Sequence, residues 1–134
     1  MGTRLARALL ILMLACLTSL AGCADNVSEA EMRASVQQDI AQVMEDIDTA
    51  SQRDPGIGMS SNPHDYVGIS PAFERLVARG EPALDAIAAE IRESDENGLR
   101  EYLLAIAGQR IQGDTGSSMW STGKQWAEKF LQGN

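Results

Sequence analysis

Five apolar residues, Met32, Val36, Ile40, Val43 and Ile47, recur at spacings of four, four, three and four. That period winds into one stripe along a helix. Gln37, Asp39, Gln42, Glu45 and Asp48 then fall on the opposite, polar face. Upstream, Ser28-Glu29-Ala30-Glu31 has the form of a capping box, in which Ser28 accepts from the Glu31 N–H and Glu31 reaches back. A helix is therefore predicted over 28–54, its stripe serving core packing or a pairing seam. The period vanishes between Asp54 and Ile69, where three Gly and two Pro break the chain into a long loop. Loops of that length in a compact domain are usually functional or disordered.

Helical patterning resumes at Ser70-Pro71, where Ser is a good N-cap and Pro fits the first helical position. Phe73, Leu76 and Val77 form the apolar face, and Gly80 stands where a C-terminal cap is expected. Pro82 restarts a helix with Leu84, Ile87, Ala88 and Ile91 as its stripe. After the exposed turn Asp95-Glu96-Asn97-Gly98, a further helix runs from about Leu99 to Gln112, with Leu99, Tyr102, Leu103, Ile106 and Ala107 on one face. Gly113 ends it. A polar loop over 114–121 holds Trp120, where a core anchor and an exposed contact are both open readings. Thr122-Gly123-Lys124-Gln125 repeats the capping-box logic before a last helix with Trp126, Phe130 and Leu131. No stretch alternates as a strand does, so the fold class expected is all-α, with about five helices. Aromatic residues gather in the second half, which places the expected core there.

Acidic residues outnumber basic ones, 19 to 11, for a net charge of −8. Such a surface repels phosphate backbones and anionic headgroups, which argues against nucleic acid as a partner. A protein this acidic needs something other than surface charge to stay on a membrane.

The first twenty residues supply that something. Arg4 and Arg7 precede the apolar run from Ala8 to Leu17, too short for a comfortable membrane span, and Thr18 and Ser19 close it. Leu20-Ala21-Gly22-Cys23 follows directly. This arrangement resembles the lipobox of bacterial lipoproteins. The resemblance implies that the Cys23 thiol receives a diacylglycerol, that residues 1–22 are then removed, and that the new N-terminus is acylated. Two or three chains anchor stably where one is marginal. Cleavage would remove Arg4 and Arg7 and no acid, taking the net charge from −8 to −10. Cys16 would be lost with the signal, leaving no cysteine free to form a disulfide. Ala24 follows the lipobox Cys, where Asp commonly retains these proteins at the inner membrane. The resemblance thus leans to the periplasmic face of an outer membrane, although Asp25 muddies the signal. Residues 23–27 become a short tether.

Residues 73–111 carry a second likeness. Leu76, Gly80, Pro82, Ala83, Leu84, Ile87 and Ile91, then Arg100, Ala105 and Ile111, look like a HEAT-type helical hairpin. Arrays of such repeats need three or more units, so one hairpin here must be completed by the first and last helices, giving a domain over 70–134 beside the helix of 28–54 and the loop of 55–69. The stretch 62–130, with Tyr66, Asn97-Gly98-Leu99 and Trp120-Ser121-Thr122-Gly123-Lys124, also resembles a domain of uncharacterised small bacterial lipoproteins. That likeness implies a shared fold and no activity.

Catalytic parts are sparse. His64 is the only His, which makes no metal site without further His or Cys. No Ser lies in a Gly-x-Ser-x-Gly context. Asp46 and Asp48, and Asp95 and Glu96, read as solvated faces. Asp114-Thr115-Gly116-Ser117 matches an aspartic-protease run by coincidence, since those enzymes need two such Asp in a paired site. No small-molecule cofactor is evident beyond the lipid. The expectation is a non-enzymatic, membrane-tethered helical module in the cell envelope that binds another protein, with His64, Tyr66 and Trp120 as candidate contacts. One alternative is an enzyme or enzyme accessory using His64 and Asp65. Another is an immunity-type inhibitor whose acidic surface suits a basic toxin.

Overall fold

The structure, a computed structural model, describes residues 27–113 and 119–133. The lipobox residues Leu20, Ala21, Gly22 and Cys23, and the Asp114–Ser117 run, lie outside the described residues. Five α-helices pack against one another, and no strand occurs among the described residues. They are α1 (Glu29–Arg53), α2 (Pro71–Ala78), α3 (Leu84–Glu93), α4 (Leu99–Ile111) and α5 (Gly123–Gly133). The all-α class and helix number match the expectation from patterning. No helix of the described residues is long and apolar enough to cross a membrane.

The helix ends follow local chemistry. Ser28 Oγ accepts from the Glu31 N–H at 3.2 Å, and the Glu31 carboxylate accepts from the Ser28 N–H at 2.9 Å. This closes the predicted capping box. Ser70 Oγ accepts from the Ala72 N–H at 3.1 Å to start α2, with Pro71 as its first residue. Gly80 and Gly113, at φ 70° and 73°, take the left-handed conformation that stops α2 and α4. Pro82 opens a 3₁₀ turn, Glu81–Ala83, and the α-helix begins only at Leu84, a correction to the immediate restart expected. The box at α5 is also altered. Thr122 Oγ1 accepts from the Gln125 N–H at 3.2 Å, but the Gln125 amide oxygen accepts from Ser121, one residue further back.

α3 and α4 are joined by the turn at 94–98 and pack together as the expected hairpin, with α1 and α5 against α3. α4 is the central element, in contact with each of the other four helices. Residues Leu103 to Gln109 are consecutively buried, so the single apolar face expected of α4 gives way to burial all round. The core is not confined to the second half. Val36, Ile40, Val43 and Ile47 of α1 are as buried as Phe73, Leu76, Ile87, Ile91, Leu103 and Trp126. Each such side chain contributes roughly 1.5–3 kcal/mol through burial.

Ion pairs stitch the polar edges of this core. Asp39, expected on a solvated face, is buried and accepts from Arg79 Nε at 2.7 Å, with Arg75 Nε at 3.4 Å. Its exposure is set by α2, which covers that edge of α1. Glu90 is buried among Arg33 Nε at 2.7 Å, Gln37 Nε2 at 2.7 Å and Arg100 Nη2 at 3.0 Å. Asp46 is likewise engaged, accepting from Ser70 Oγ at 2.5 Å and Gln42 Nε2 at 2.9 Å.

Candidate functional site

The region between Asp54 and Ile69 is built from two 3₁₀ turns, Ile57–Met59 and Pro63–Tyr66. Asn62 caps the second turn by accepting from the His64 N–H at 3.2 Å. Asp65 accepts from Ser60 Oγ at 2.5 Å and from Asn62 Nδ2 at 3.1 Å. Tyr66 is buried and donates its hydroxyl to the Ser60 carbonyl at 2.8 Å. Ser60 to Tyr66 thus form a tied loop with the tyrosine ring as its anchor.

That loop forms one wall of a cleft of about 350 Å³, through Ser60, Ser61, Pro63 and Tyr66. The second wall is the start of α4, with Asn97, Gly98, Leu99 and Tyr102, and the third is Ser121 and Thr122 before α5. Asn97 ties two of these walls by accepting from the Lys124 N–H at 3.3 Å, and Lys124 Nζ donates to the Ser94 carbonyl. The Trp120 ring, half-buried, lies 4.8 Å from the Tyr102 ring centroid at 52°. Its indole Nε1 is buried and has no hydrogen-bond partner among the described residues.

Glu101 underlies the α4 wall. Its carboxylate accepts from the Gly98 N–H at 2.9 Å, from Ser94 Oγ at 2.8 Å and from Arg100 Nη1 at 3.2 Å. Burial pushes its pKa up and is the largest single influence. The hydrogen bonds from Gly98, Ser94 and Arg100 together outweigh it and hold the group below the ordinary carboxylate value. An ionised Glu101 therefore already occupies the N-terminus of α4, where the helix dipole favours a negative charge. None of the cleft's lining residues is a carboxylate, a Lys or an Arg.

The three contacts expected from sequence occupy different places. Tyr66 lines the cleft, Trp120 stands behind it against Tyr102, and His64 is exposed and does not line it. The Asp65 carboxylate closes its own loop through Ser60 and Asn62 rather than orienting His64. No group of three His, Cys, Asp or Glu suited to a metal gathers among the described residues. Sequence reasoning missed Met59 and Met119, which are 82% and 89% exposed and are the two most exposed large hydrophobic side chains described. Met59 directly precedes Ser60 and Met119 directly precedes Trp120, so both belong to the loops that wall the cleft. The signal was there in a methionine set among polar loop residues at each place. Tyr102 and Leu99 were assigned to the core face of their helix. Both are half-buried, because one side of each opens on the cleft.

The 60–66 loop sits toward the C-terminal end of α1, where Gly58 lies against Ser51, while the start of α4 reaches the first turns of α1 through Arg100 and Arg33, which share the Glu90 carboxylate. No protein-family model, curated protein or solved structure matches this chain.

Proposed function

We propose that this chain is a lipid-anchored protein of the bacterial cell envelope whose helical domain binds another protein through the cleft between residues 60–66, 97–102 and 119–122. The exposure of Met59 and Met119 on the two loops flanking that cleft is the observation that carries this reading. Isolated surface hydrophobics are ordinary, but flexible, polarizable methionines exposed on the loops beside an aromatic-lined cleft suit contact with another protein. The lipobox at Leu20-Ala21-Gly22-Cys23 supplies the anchor. The reading assigns no catalysis, since Asp65 is engaged within its loop and His64 stands outside the cleft.

Site-specific photo-cross-linking in intact cells tests it. A photoreactive residue is placed at 59 or 119, and at exposed Glu45 as a control. One protein adduct shared by 59 and 119 and absent at 45 is the expected result. Adducts of equal strength at 45, or none at 59 and 119, would overturn the placement of the partner surface. The mass of the N-terminal peptide tests the anchor separately, and an unmodified Cys23 would remove it.

A further inference from the structure

We infer that the face of the domain around Val27, Met32 and Leu131 rests on the lipid surface that holds the anchor, and that it suits a zwitterionic surface better than an anionic one. The inference rests on the reading of Cys23 as lipid-anchored and names the surface that the domain itself then contacts.

Exposed apolar side chains gather at two places. The large hydrophobics exposed among the described residues are Val27, Met59, Met119 and Leu131. Met59 and Met119 belong to the cleft loops. Val27 and Leu131 stand at opposite ends of the described chain, yet they line one open groove of about 660 Å³. The groove runs between the start of α1, α3 and the end of α5, and half-buried Met32 adds to its apolar side.

The tether decides what covers this groove. Val27 directly precedes Ser28, which the cap holds in place, so the chain leaves the domain at the rim of the groove. Cys23 comes four residues earlier, and four residues reach at most about 14 Å. With its lipid in a bilayer, Cys23 keeps the rim within that distance of the headgroups. Two faces adjoin the first half of α1. One presents Val27, Met32 and Leu131, and the other presents exposed Ala34, Gln38 and Glu45. Only the first has large apolar side chains to withdraw from water, and each methylene withdrawn favours the docked form about fourfold. The anchor also makes this contact intramolecular, so lipid is present there at an effective concentration that a free protein does not match. A weak contact is then enough to fix which side of the domain faces the bilayer.

Charge selects the lipid. Glu29, Asp85 and Arg92 are exposed around the groove and leave it net negative. An anionic surface repels such a rim. A zwitterionic headgroup offers an ammonium to the two carboxylates and a phosphate to Arg92.

In the mature lipidated chain the only cysteine is Cys23, with its sulfur in a thioether, so an introduced cysteine is the one free thiol. A fluorophore is attached at Leu131→Cys, and separately at Ala34→Cys and Glu45→Cys. The purified lipidated protein is placed in phosphatidylcholine vesicles, with and without a lipid that carries a quencher high on its chains. Quenching at 131 should exceed that at 34 and 45 by about threefold or more, as for a side chain set into the headgroup boundary. Val27→Asp, an acid where the start of α1 tolerates one, should at least halve the quenching at 131 and keep the melting temperature. Replacing part of the lipid with phosphatidylglycerol should weaken it at low salt and return it at high salt. Even quenching at the three positions, or the strongest at 34 or 45, would overturn the inference. So would a water-shielded fluorophore at 131 that the lipid quencher does not reach, since the groove would then be filled from within the protein. Indifference to phosphatidylglycerol would overturn the headgroup preference. Vesicle-bound protein with a lipidated Cys23 and even quenching rejects this face alone, whereas an unmodified Cys23 rejects the anchor and the inference with it.

Discussion

Gly123 lies so close to the main chain of Glu101 that a β-carbon on it would fall inside 3.0 Å of the Glu101 carbonyl. The first turn of α5 is thereby seated on the first turn of α4. Two walls of the cleft, 97–102 and 121–122, are held in register by that contact and by the bond from the Lys124 N–H to Asn97. Lower in the same interface, Gly108 faces the Trp126 ring at a distance that also excludes a β-carbon. The α4–α5 pair is thus set by two glycines meeting bulk from the opposite helix.

Gly123→Ala is expected to destabilise the domain by about 1–3 kcal/mol, because the atom it meets is backbone and has no rotamer to escape into. In a domain near this size the melting temperature should fall by about 5 °C or more. Gly108→Ala meets a buried tryptophan ring and should lose stability as well, despite the better helix propensity of alanine. Thermal melts followed by circular dichroism measure both. Unchanged melting temperatures would mean that α5 is not seated as described.

The buried carboxylates predict an acid-sensitive fold. Burial raises the pKa of Glu90 and is the largest single influence, but hydrogen bonds from Arg33, Gln37 and Arg100 outweigh it, and the folded-state value lies below the ordinary 4.5. Glu101 behaves in the same way. A carboxyl with a depressed folded pKa contributes stability that is present above its unfolded value and is lost as pH falls through its folded value. The melting temperature should therefore be nearly level from pH 7 to about 5 and drop below about 4.5. Glu90→Gln should lower it at pH 7 and flatten the acid limb. A variant as acid-sensitive as the parent would show that Glu90 does not carry the effect.

Ser70 links two helices at once. Its oxygen caps α2 by accepting from the Ala72 N–H, and its hydroxyl hydrogen goes to Asp46 of α1 at 2.5 Å. Ser70 is 2% exposed, so water cannot replace either bond. Ser70→Ala should remove about 1–2 kcal/mol, the usual loss for an N-cap. Ser70→Thr keeps both the acceptor and the donor and should recover part of it. Chemical denaturation curves with a shifted midpoint and an unchanged slope would fit this loss of stability.

These residues also mark how far the sequence reaches. Ser28, Ser70, Gly80 and Gly113 act within a few residues of themselves, so cap and stop chemistry located α1, α2 and the end of α4. Asp39 could not be read that way. It sits between Val36 and Val43 at the edge of their stripe, and its partners, Arg75 and Arg79, arrive from a helix that the sequence does not dock. α4 defeated the periodic reading because four helices pack on it, which leaves little polar face to contrast with an apolar one. The cleft is the least legible part. Tyr66 and Trp120 were visible as aromatics in polar loops. Only tertiary packing brings those loops to the start of α4, where Tyr102 stands between them.

Anchoring and folding should separate cleanly. The proposed lipid sits on Cys23, whereas α1 is closed by its own cap at Ser28 and Glu31, a local device that needs nothing from the residues before it. Removing the acceptor thiol should change where the protein resides and leave the helices as they are. Cys23→Ala is therefore expected to shift the chain out of the lipidated, detergent-extracted pool while its domain keeps the parent melting temperature within about 1 °C, the level expected for a change remote from the core. Ser28→Ala should do the reverse, fraying α1 and lowering the melting temperature with no effect on lipidation. Fractionation of cells, the mass of the N-terminal peptide and a thermal melt on each variant distinguish the two. If Cys23→Ala lowered the melting temperature as much as Ser28→Ala, the tether would have to be part of the folded domain.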